Sequence, residues 1–569
     1  MHIGISHRRF RAVIFIFLSL FALCCLRLLY IQFFKSAYLS RIANQQHNLY
    51  ITLEPLRGAI YDRNLKPLAV NLPCDSLYAS ARQIENKEKV IRQLIDILGL
   101  DYSYLKARLY RNKAFVWIAR KLPPEIVEQI KKLKIAGLGF IRESKRSYPD
   151  KNLASQQIGF AGLDNTGLEG LELYYNEYLK GSNGWAVMLR DAKQNRLLCQ
   201  NLLLPRNGSE VVLTIDEFIQ FVAERELERV FKIFKARGAS VIVVNPKTGE
   251  LLAMANRPTY DPNHPELSSP DSRRNRALCD MFEPGSVFKI VTAAAALEEG
   301  RFNELDRFFC ENGSYRVANH ILHDHQPHGW LTFSQVFTES SNIGTTKIAQ
   351  SLGSDIIYRY AASFGFGKTL GLALPGEIPG VLKEPKTWSK TSIGAVPIGQ
   401  EVGVTALQLA LAISTIANDG VLMKPFIVKA IQDENGELIK EFKPEEIRRV
   451  ISSKTAKRLK DILFLATEEG TGKLARVSDF KVAGKTGTAQ KIEPGGGYSH
   501  SKYIASFIGF APADEPLVAV VVTVDEPRPY YFGGVVAAPA FKRIVQDVVK
   551  YLKLQGNDYA ISEIVKKAE

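Results

Sequence analysis

Residues 12–34 are almost wholly apolar, and they follow His7, Arg8, Arg9 and Arg11. A run of that length fits a helix crossing a bilayer, where apolar side chains need no protein core around them. Basic residues ahead of the run put the N-terminus in the cytoplasm and everything after about residue 36 on the far side. Leu28 to Ser40 contains no small-x-small cleavage site, so the segment reads as a retained anchor rather than a removed leader. Arg27 is close enough to the outer end to snorkel toward the headgroups.

The chain has 569 residues, too many for one core, and two to four domains are expected. Its formal charge of +15 is spread along the sequence instead of being gathered into an aromatic-interleaved patch. That distribution argues against nucleic acid and suits an anionic membrane surface or wall polymer. Of the six cysteines, Cys24 and Cys25 fall in the apolar run; Cys74, Cys199, Cys279 and Cys310 lie beyond it. Their wide spacing matches no zinc or redox motif and assigns no disulfide pairing.

Chemistry points to Glu283-Pro284-Gly285-Ser286-Val287-Phe288-Lys289, followed by the apolar run Ile290 to Leu297. Pro284 and Gly285 spell a turn and the apolar run a buried helix, so Ser286 is presented at that helix's first turn. Residues three apart share a helical face, which sets the Lys289 amine beside the Ser286 hydroxyl. Burial disfavours an ammonium, and a neutral amine can take the proton of an otherwise weak serine nucleophile. Ser-x-x-Lys recurs at Ser103/Lys106 and Ser478/Lys481, but neither has a Pro-Gly turn ahead and an apolar helix behind.

In chain order, Arg57 to Val70 reads as strand-turn-strand, residues 80–135 as charged helices, and the stretch with Arg146, Tyr148 and Pro149 as loop-rich. Gly167 to Glu172 leads into a helix. None of this pairs a nucleophile with a base, and its charged residues are expected to serve turns and salt bridges. A second domain begins near Thr214-Ile215-Asp216, an end-of-strand and helix cap. Ala239–Val244 and Glu250–Ala255 form a hairpin whose turn holds Lys247-Thr248-Gly249, a sequence that turn chemistry explains without a substrate. Ser340-Ser341-Asn342 opens the helix Ile343–Leu352, and Ser340 and Asn342 can face one cleft together only from a non-helical turn. Val482 to Ala489 reads as a strand whose glycines admit a close backbone approach by substrate. Strands Tyr503–Phe510 and Leu517–Val524 follow, then the amphipathic helix Phe541–Leu554.

Ser286-x-x-Lys289, Ser340-x-Asn342 and Lys485-Thr486-Gly487, in this order, are the motif set of penicillin-binding proteins and related β-lactamases. With the flanks Arg57–Asn64, Arg146–Pro149, Glu169–Glu172, Thr405–Ala410 and Gly533–Pro539, the whole chain resembles the class B penicillin-binding proteins. Those are membrane-anchored transpeptidases that cross-link peptidoglycan, and Glu283-Pro284-Gly285-Ser286 is closest to the septal, division-type branch. Leu65 stands where the family has a turn glycine, and Glu401 where a glycine is common, so the Glu401 loop is expected to be shaped differently.

The resemblance implies an α/β (α+β) fold, an antiparallel sheet flanked by helices, with an elongated support domain and one transmembrane helix. Its bounds are a cytoplasmic tail at 1–11, the span at 12–34, the support (dimerisation-type) domain at 35–210, the transpeptidase domain at 211–556 and a tail at 557–569. It implies Ser286 as nucleophile toward D-Ala-D-Ala of a stem peptide, Lys289 as base, Ser340 as proton relay and Asn342 as holder of the peptide amide. Lys485, Thr486, Gly487 and Thr488 would receive the substrate carboxylate, with the Ser286 and Thr488 N–H groups as oxyanion hole. The amine of a second stem peptide resolves the acyl-enzyme, β-lactams acylate the serine, and no cofactor is needed. The implied location is the inner membrane with the catalytic domain outside, beside a membrane glycosyltransferase and other division proteins.

Other readings stay open at this point. His320, His323, His325 and His328 around Asp324 look like metal ligands, but zinc sites draw ligands from separated elements, and the expectation is no metal. A D,D-carboxypeptidase or β-lactamase-like hydrolase would need a placed base for water, which no motif supplies. A non-catalytic β-lactam-binding division scaffold would not need the serine and both lysines; turnover of a peptide or thioester donor discriminates it.

Overall fold

The computed structural model describes residues 7–568 apart from 112, 114, 191–195 and 494; the side chains of 43–52, 188–201 and 556–568 are outside the description. The chain divides into two units. One comprises the residues up to Leu56 together with Gly181–Asn207. Within it an apolar helix, His7–Ile42, is long enough to cross a bilayer, with a mean hydropathy of 2.6 over an 18-residue window. None of its residues is buried, and so apolar a surface suits lipid rather than water. The same unit holds the antiparallel sheet of Asn48–Leu53, Gly184–Arg190 and Arg196–Leu203.

The other unit is Arg57–Lys180 with Gly208–Glu569. Its centre is an antiparallel sheet of β1 (Gly238–Val244), β2 (Leu251–Arg257), β3 (Ala483–Ile492), β4 (Tyr498–Ala511) and β5 (Val518–Asp525), in the order β2-β1-β5-β4-β3. Alternation along β5 sends Val518, Val520, Val522 and Val524 into one apolar cluster and Ala519 and Val521 into another. Helices α1 (Glu217–Ile233) and α5 (Ala538–Ala568) pack on the first side. Three others belong to the second cluster: α2 (Lys289–Glu298), α3 (Asn342–Leu352) and α4 (Ala406–Ala417). Helix α2 is buried on every side from Lys289 to Leu297, which explains its run of alanines: bulkier residues would not fit between its neighbours. Asp216 caps α1 by accepting the N–H groups of Phe218 and Ile219.

A second sheet runs Leu438–Glu441, Val428–Gln432, Glu210–Leu213, Ile60–Tyr61, Pro67–Ala79 and Val116–Leu122, with Leu138–Ser147 also paired to Pro67–Ala79. Two expectations fail here. The charged stretch 80–135 contains the strand Val116–Leu122 between helices Lys87–Leu98, Tyr102–Leu109 and Pro124–Lys132, and Arg146 lies on the strand Leu138–Ser147, while Tyr148 and Pro149 follow it in a loop as expected. Charge hides the strand Leu138–Ser147 in the sequence: Glu143 and Arg146 are both buried there, in ion pairs with Arg120 and Glu172. Leu65 has φ 62° and Glu401 φ 57°. The backbone at these two positions is left-handed, a conformation that favours glycine, at a cost of about 1–2 kcal/mol each.

Candidate active site

Gly285 (φ 58°) opens a short 3₁₀ turn, Gly285–Phe288, that leads directly into α2. Its N–H donates to Gly399 O at 3.0 Å, and a Cβ at this position would sit 2.9 Å from Thr488 O. Only glycine lets this turn lie so close to β3. Ser286 is half-buried in the turn, while Lys289 at the start of α2 is fully buried. The Lys289 Nζ lies 2.6 Å from Ser340 O, 2.8 Å from Asn342 Oδ1 and 3.2 Å from Ser340 Oγ. In all three contacts Nζ is the donor, to the carbonyl, the hydroxyl oxygen and the carboxamide oxygen. Burial pushes the amine well below the usual lysine range, the Lys485 charge adds to this, and Asp324 opposes it.

Ser340 reaches the amine because it sits at φ 63°, outside any helix, and Ser341 then caps α3 by accepting the Gly344 N–H at 2.9 Å. What holds the turn is Asp324. Its carboxylate accepts the Ser341 hydroxyl at 2.7 Å and the N–H groups of Asn342 and Ile343 at 2.5 and 3.0 Å. The Asn342 carboxamide in turn donates to His323 O at 2.8 Å. Of the four histidines, His320 and His323 lie on the strand His320–His323 and His325 faces the Phe532 ring at 4.8 Å. No three His, Cys, Asp or Glu side chains converge on a common point among the described residues. Asp324, which the sequence offered only as part of a possible metal cluster, positions this turn instead. It stands 18 positions from Asn342, so no local pattern links them.

Strand β3 carries Lys485, Thr486, Gly487 and Thr488 on the free edge of the sheet, where unpaired backbone groups can bond an extended ligand. Thr486 Oγ1 contacts Thr471 Oγ1 at 2.7 Å, and Thr488 Oγ1 accepts the Gly533 N–H at 3.0 Å. A Cβ on Gly487 would fall 2.9 Å from Val287 Cγ1 and 3.1 Å from Pro284 O. The glycine thus leaves room for the Ser506 hydroxyl, the nearest atom, and for the nucleophile turn. Lys485 is 1% exposed, and burial brings its amine down to about 7 against an upward pull from Glu339.

The competing motifs lie elsewhere. Ser103 is on the helix Tyr102–Leu109, Ser478 donates to its neighbour Asp479 at 2.7 Å, and Lys247-Thr248-Gly249 forms the β1–β2 turn. Cys74, Cys279 and Cys310 carry free thiols; the Cys199 side chain lies outside the described residues.

Residues 239–546 match the sequence profile of the penicillin binding protein transpeptidase domain, and residues 52–213 that of the penicillin-binding protein dimerisation domain. The chain is 34% identical over 553 residues to the probable peptidoglycan D,D-transpeptidase PenA of Neisseria meningitidis, covering 95% of this chain and 92% of that one. It is 32% identical over 507 residues to the peptidoglycan D,D-transpeptidase FtsI of Escherichia coli, with coverages of 88% and 84%. Among solved structures, penicillin binding protein 3 of Mycobacterium tuberculosis in complex with aztreonam is similar at a TM-score of 0.70 and 30% identity, over 88% of this chain and 97% of that one.

Proposed function

The chain belongs to the class B penicillin-binding proteins and is a serine-type peptidoglycan D,D-transpeptidase, and we propose that its acyl-enzyme forms on Ser286. The observation that carries this assignment is the buried amine of Lys289, bonded to Ser340 and Asn342 and driven toward its neutral form. In this reading the Ser286 hydroxyl gives its proton to Lys289 Nζ and attacks the carbonyl between the two terminal D-alanines of a stem peptide. The Ser286 and Thr488 N–H groups stabilise the oxyanion. The Ser340 hydroxyl, 3.2 Å from that amine, passes the proton to the leaving nitrogen, and D-alanine departs. The amine of a second stem peptide attacks the resulting ester by the reverse route and completes the cross-link. Lys485 with the hydroxyls of Thr486 and Thr488 binds the terminal carboxylate, whose negative charge draws the lysine back to its ammonium form on binding.

β-Lactams acylate the same serine. Labelling with a fluorescent penicillin followed by mass mapping tests the assignment: the adduct is expected on Ser286 and lost in Ser286→Ala, while an adduct on Ser103 or Ser478 would refute it.

The apolar helix His7–Ile42 fits a single-pass membrane anchor. The basic residues ahead of it support a cytoplasmic N-terminus and an external catalytic domain. A reporter fused after Glu569 should be active outside the cytoplasm, and activity confined to the cytoplasm would overturn that topology. The Glu283-Pro284-Gly285-Ser286 turn supports a septal role beside a membrane glycosyltransferase and other division proteins. Failure of depletion to block septation would remove it.

A further inference from the structure

The loop that follows the helix Ser453–Glu468 carries a threonine between two glycines, Gly470-Thr471-Gly472, and the fold sets it against the strand that bears Lys485 and Thr486. A Cβ on Gly470 would run into Thr338 O, and one on Gly472 would fall 3.0 Å from Ala466 O, so the glycines let this loop lie close to its neighbours. On the other side, a Cβ on Gly534 would sit 2.7 Å from Thr471 O. These contacts fix where Thr471 can be. Its N–H donates to Thr338 O at 3.5 Å, two residues before Ser340, and its hydroxyl lies 2.7 Å from Thr486 Oγ1. Thr471 therefore joins the wall that holds Ser340 and Asn342 to the wall that holds Lys485 and Thr486.

The two threonine hydroxyls have no other hydrogen-bond partner among the described residues. A hydroxyl has one proton to donate and two lone pairs with which to accept, so the pair places one proton between its oxygens and has one to spare. Which oxygen carries the spare proton decides what the pair can bind. When Thr486 donates to Thr471, its proton is used and it offers an anion only lone pairs. When Thr471 donates to Thr486, the Thr486 proton is free, and a chain of donors runs from Thr471 through Thr486 to a ligand. An ionised carboxylate only accepts, so it selects the second order, and each bond of such a chain polarises the next.

We propose that Thr471 is a positioning residue for the terminal carboxylate of the donor: its hydroxyl donates to Thr486 Oγ1 and so directs the Thr486 proton toward the anion. The inference rests on the reading that Thr486 binds that carboxylate. It gives Thr471 a part in recognising the anion and none in the bond-making steps at Ser286.

The experiment measures second-order acylation rates of the full chain in detergent by benzylpenicillin, whose carboxylate is ionised, and by its methyl ester, which presents no anion. Thr471 is exposed and valine has its shape, so Thr471→Val should fold. It is expected to slow acylation by the acid about threefold to tenfold, the range of one hydrogen bond, and to change that by the ester less than about twofold. Thr471→Ser keeps the hydroxyl and should react with both probes as the wild type does. In a Thr486→Val background, Thr471→Val should slow the acid no further, because the hydroxyl through which it acts is gone. Three results would each overturn the proposal: wild-type rates with the acid in Thr471→Val, equal losses with acid and ester, or losses that add in the double variant, which would put Thr471 on the ligand itself. If Thr486→Val alone leaves the ratio of acid to ester rates unchanged, the carboxylate reading of Thr486 fails and this inference falls with it. If Thr486→Val lowers that ratio and Thr471→Val does not, this inference fails alone.

Discussion

Two of the buried clusters of charged residues in the larger unit are built on opposite principles. In the first, the Arg57 and Arg146 guanidiniums close on Glu172, with side-chain exposures of 0%, 4% and 0%. Arg57 adds bonds to Asn165 O and the Asn176 carboxamide, and Arg146 one to Gly58 O. Burial alone would raise the Glu172 carboxyl, but the two arginines outweigh it and hold the group below the usual carboxylate range. In the second, Lys289 and Lys485 are equally buried and bond only to neutral oxygens. The first cluster keeps its charges and ties chain segments together; the second sheds them and is left reactive. Compensation by a carboxylate within hydrogen-bond reach separates the structural cluster from the chemical one.

The sharpest way to break this contrast is to restore a permanent charge to the chemical cluster. Lys289→Arg retains a cation but cannot act as a base, so its limiting acylation rate by penicillin should fall as far as that of Lys289→Ala, by about two to four orders of magnitude. Stopped-flow acylation across penicillin concentrations measures it; a near-wild-type limiting rate would mean that the amine is not the base.

The converse change removes compensation from the structural cluster. Glu172→Gln leaves two buried guanidiniums without a counter-charge and should cost about 3–5 kcal/mol of stability, read as a lower denaturation midpoint. The protein that remains folded should acylate at the wild-type limiting rate. A slower limiting rate would show that the two clusters are coupled.

The smallest effects are in pH. Because the folded Glu172 carboxyl titrates below its unfolded value, its stabilisation is present above the normal carboxylate range, about 4.3, and is lost as pH falls through the folded value. For Lys485 the sign reverses. The folded amine titrates at about 7 and the unfolded one near 10.4, so the unfolded chain holds the extra proton between them, and this lysine's contribution to stability rises with pH across that window. In catalysis, kcat/KM should climb as Lys289 deprotonates and fall above about 7 as the free enzyme loses the Lys485 charge that captures the carboxylate, by up to about tenfold per pH unit. Lys485→Arg stays protonated and should retain part of the capture while abolishing the falling limb; persistence of that limb would assign it to another group.

The amino-acid sequence alone determined whatever depends on neighbours along the chain. The anchor follows from an uninterrupted apolar run, and the Ser286 turn from Pro284 and Gly285 ahead of an alanine-rich helix. The β1–β2 hairpin and the cap at Asp216 are equally local. The motif set named the reaction because its residue types and order are specific. Tertiary structure decided the rest, wherever the partner is remote. The strand Leu138–Ser147 was illegible because its inward charges are neutralised from elsewhere, Arg146 by Glu172 26 positions away. Asp324 acquires its role only when the fold brings it to the Ser340–Asn342 turn, and Glu283 meets Glu401 across 118 positions. The protonation of Lys485 is the clearest case: the sequence places it on a glycine-bearing strand, but desolvation depends on everything packed around the amine, and that shell is assembled only by folding.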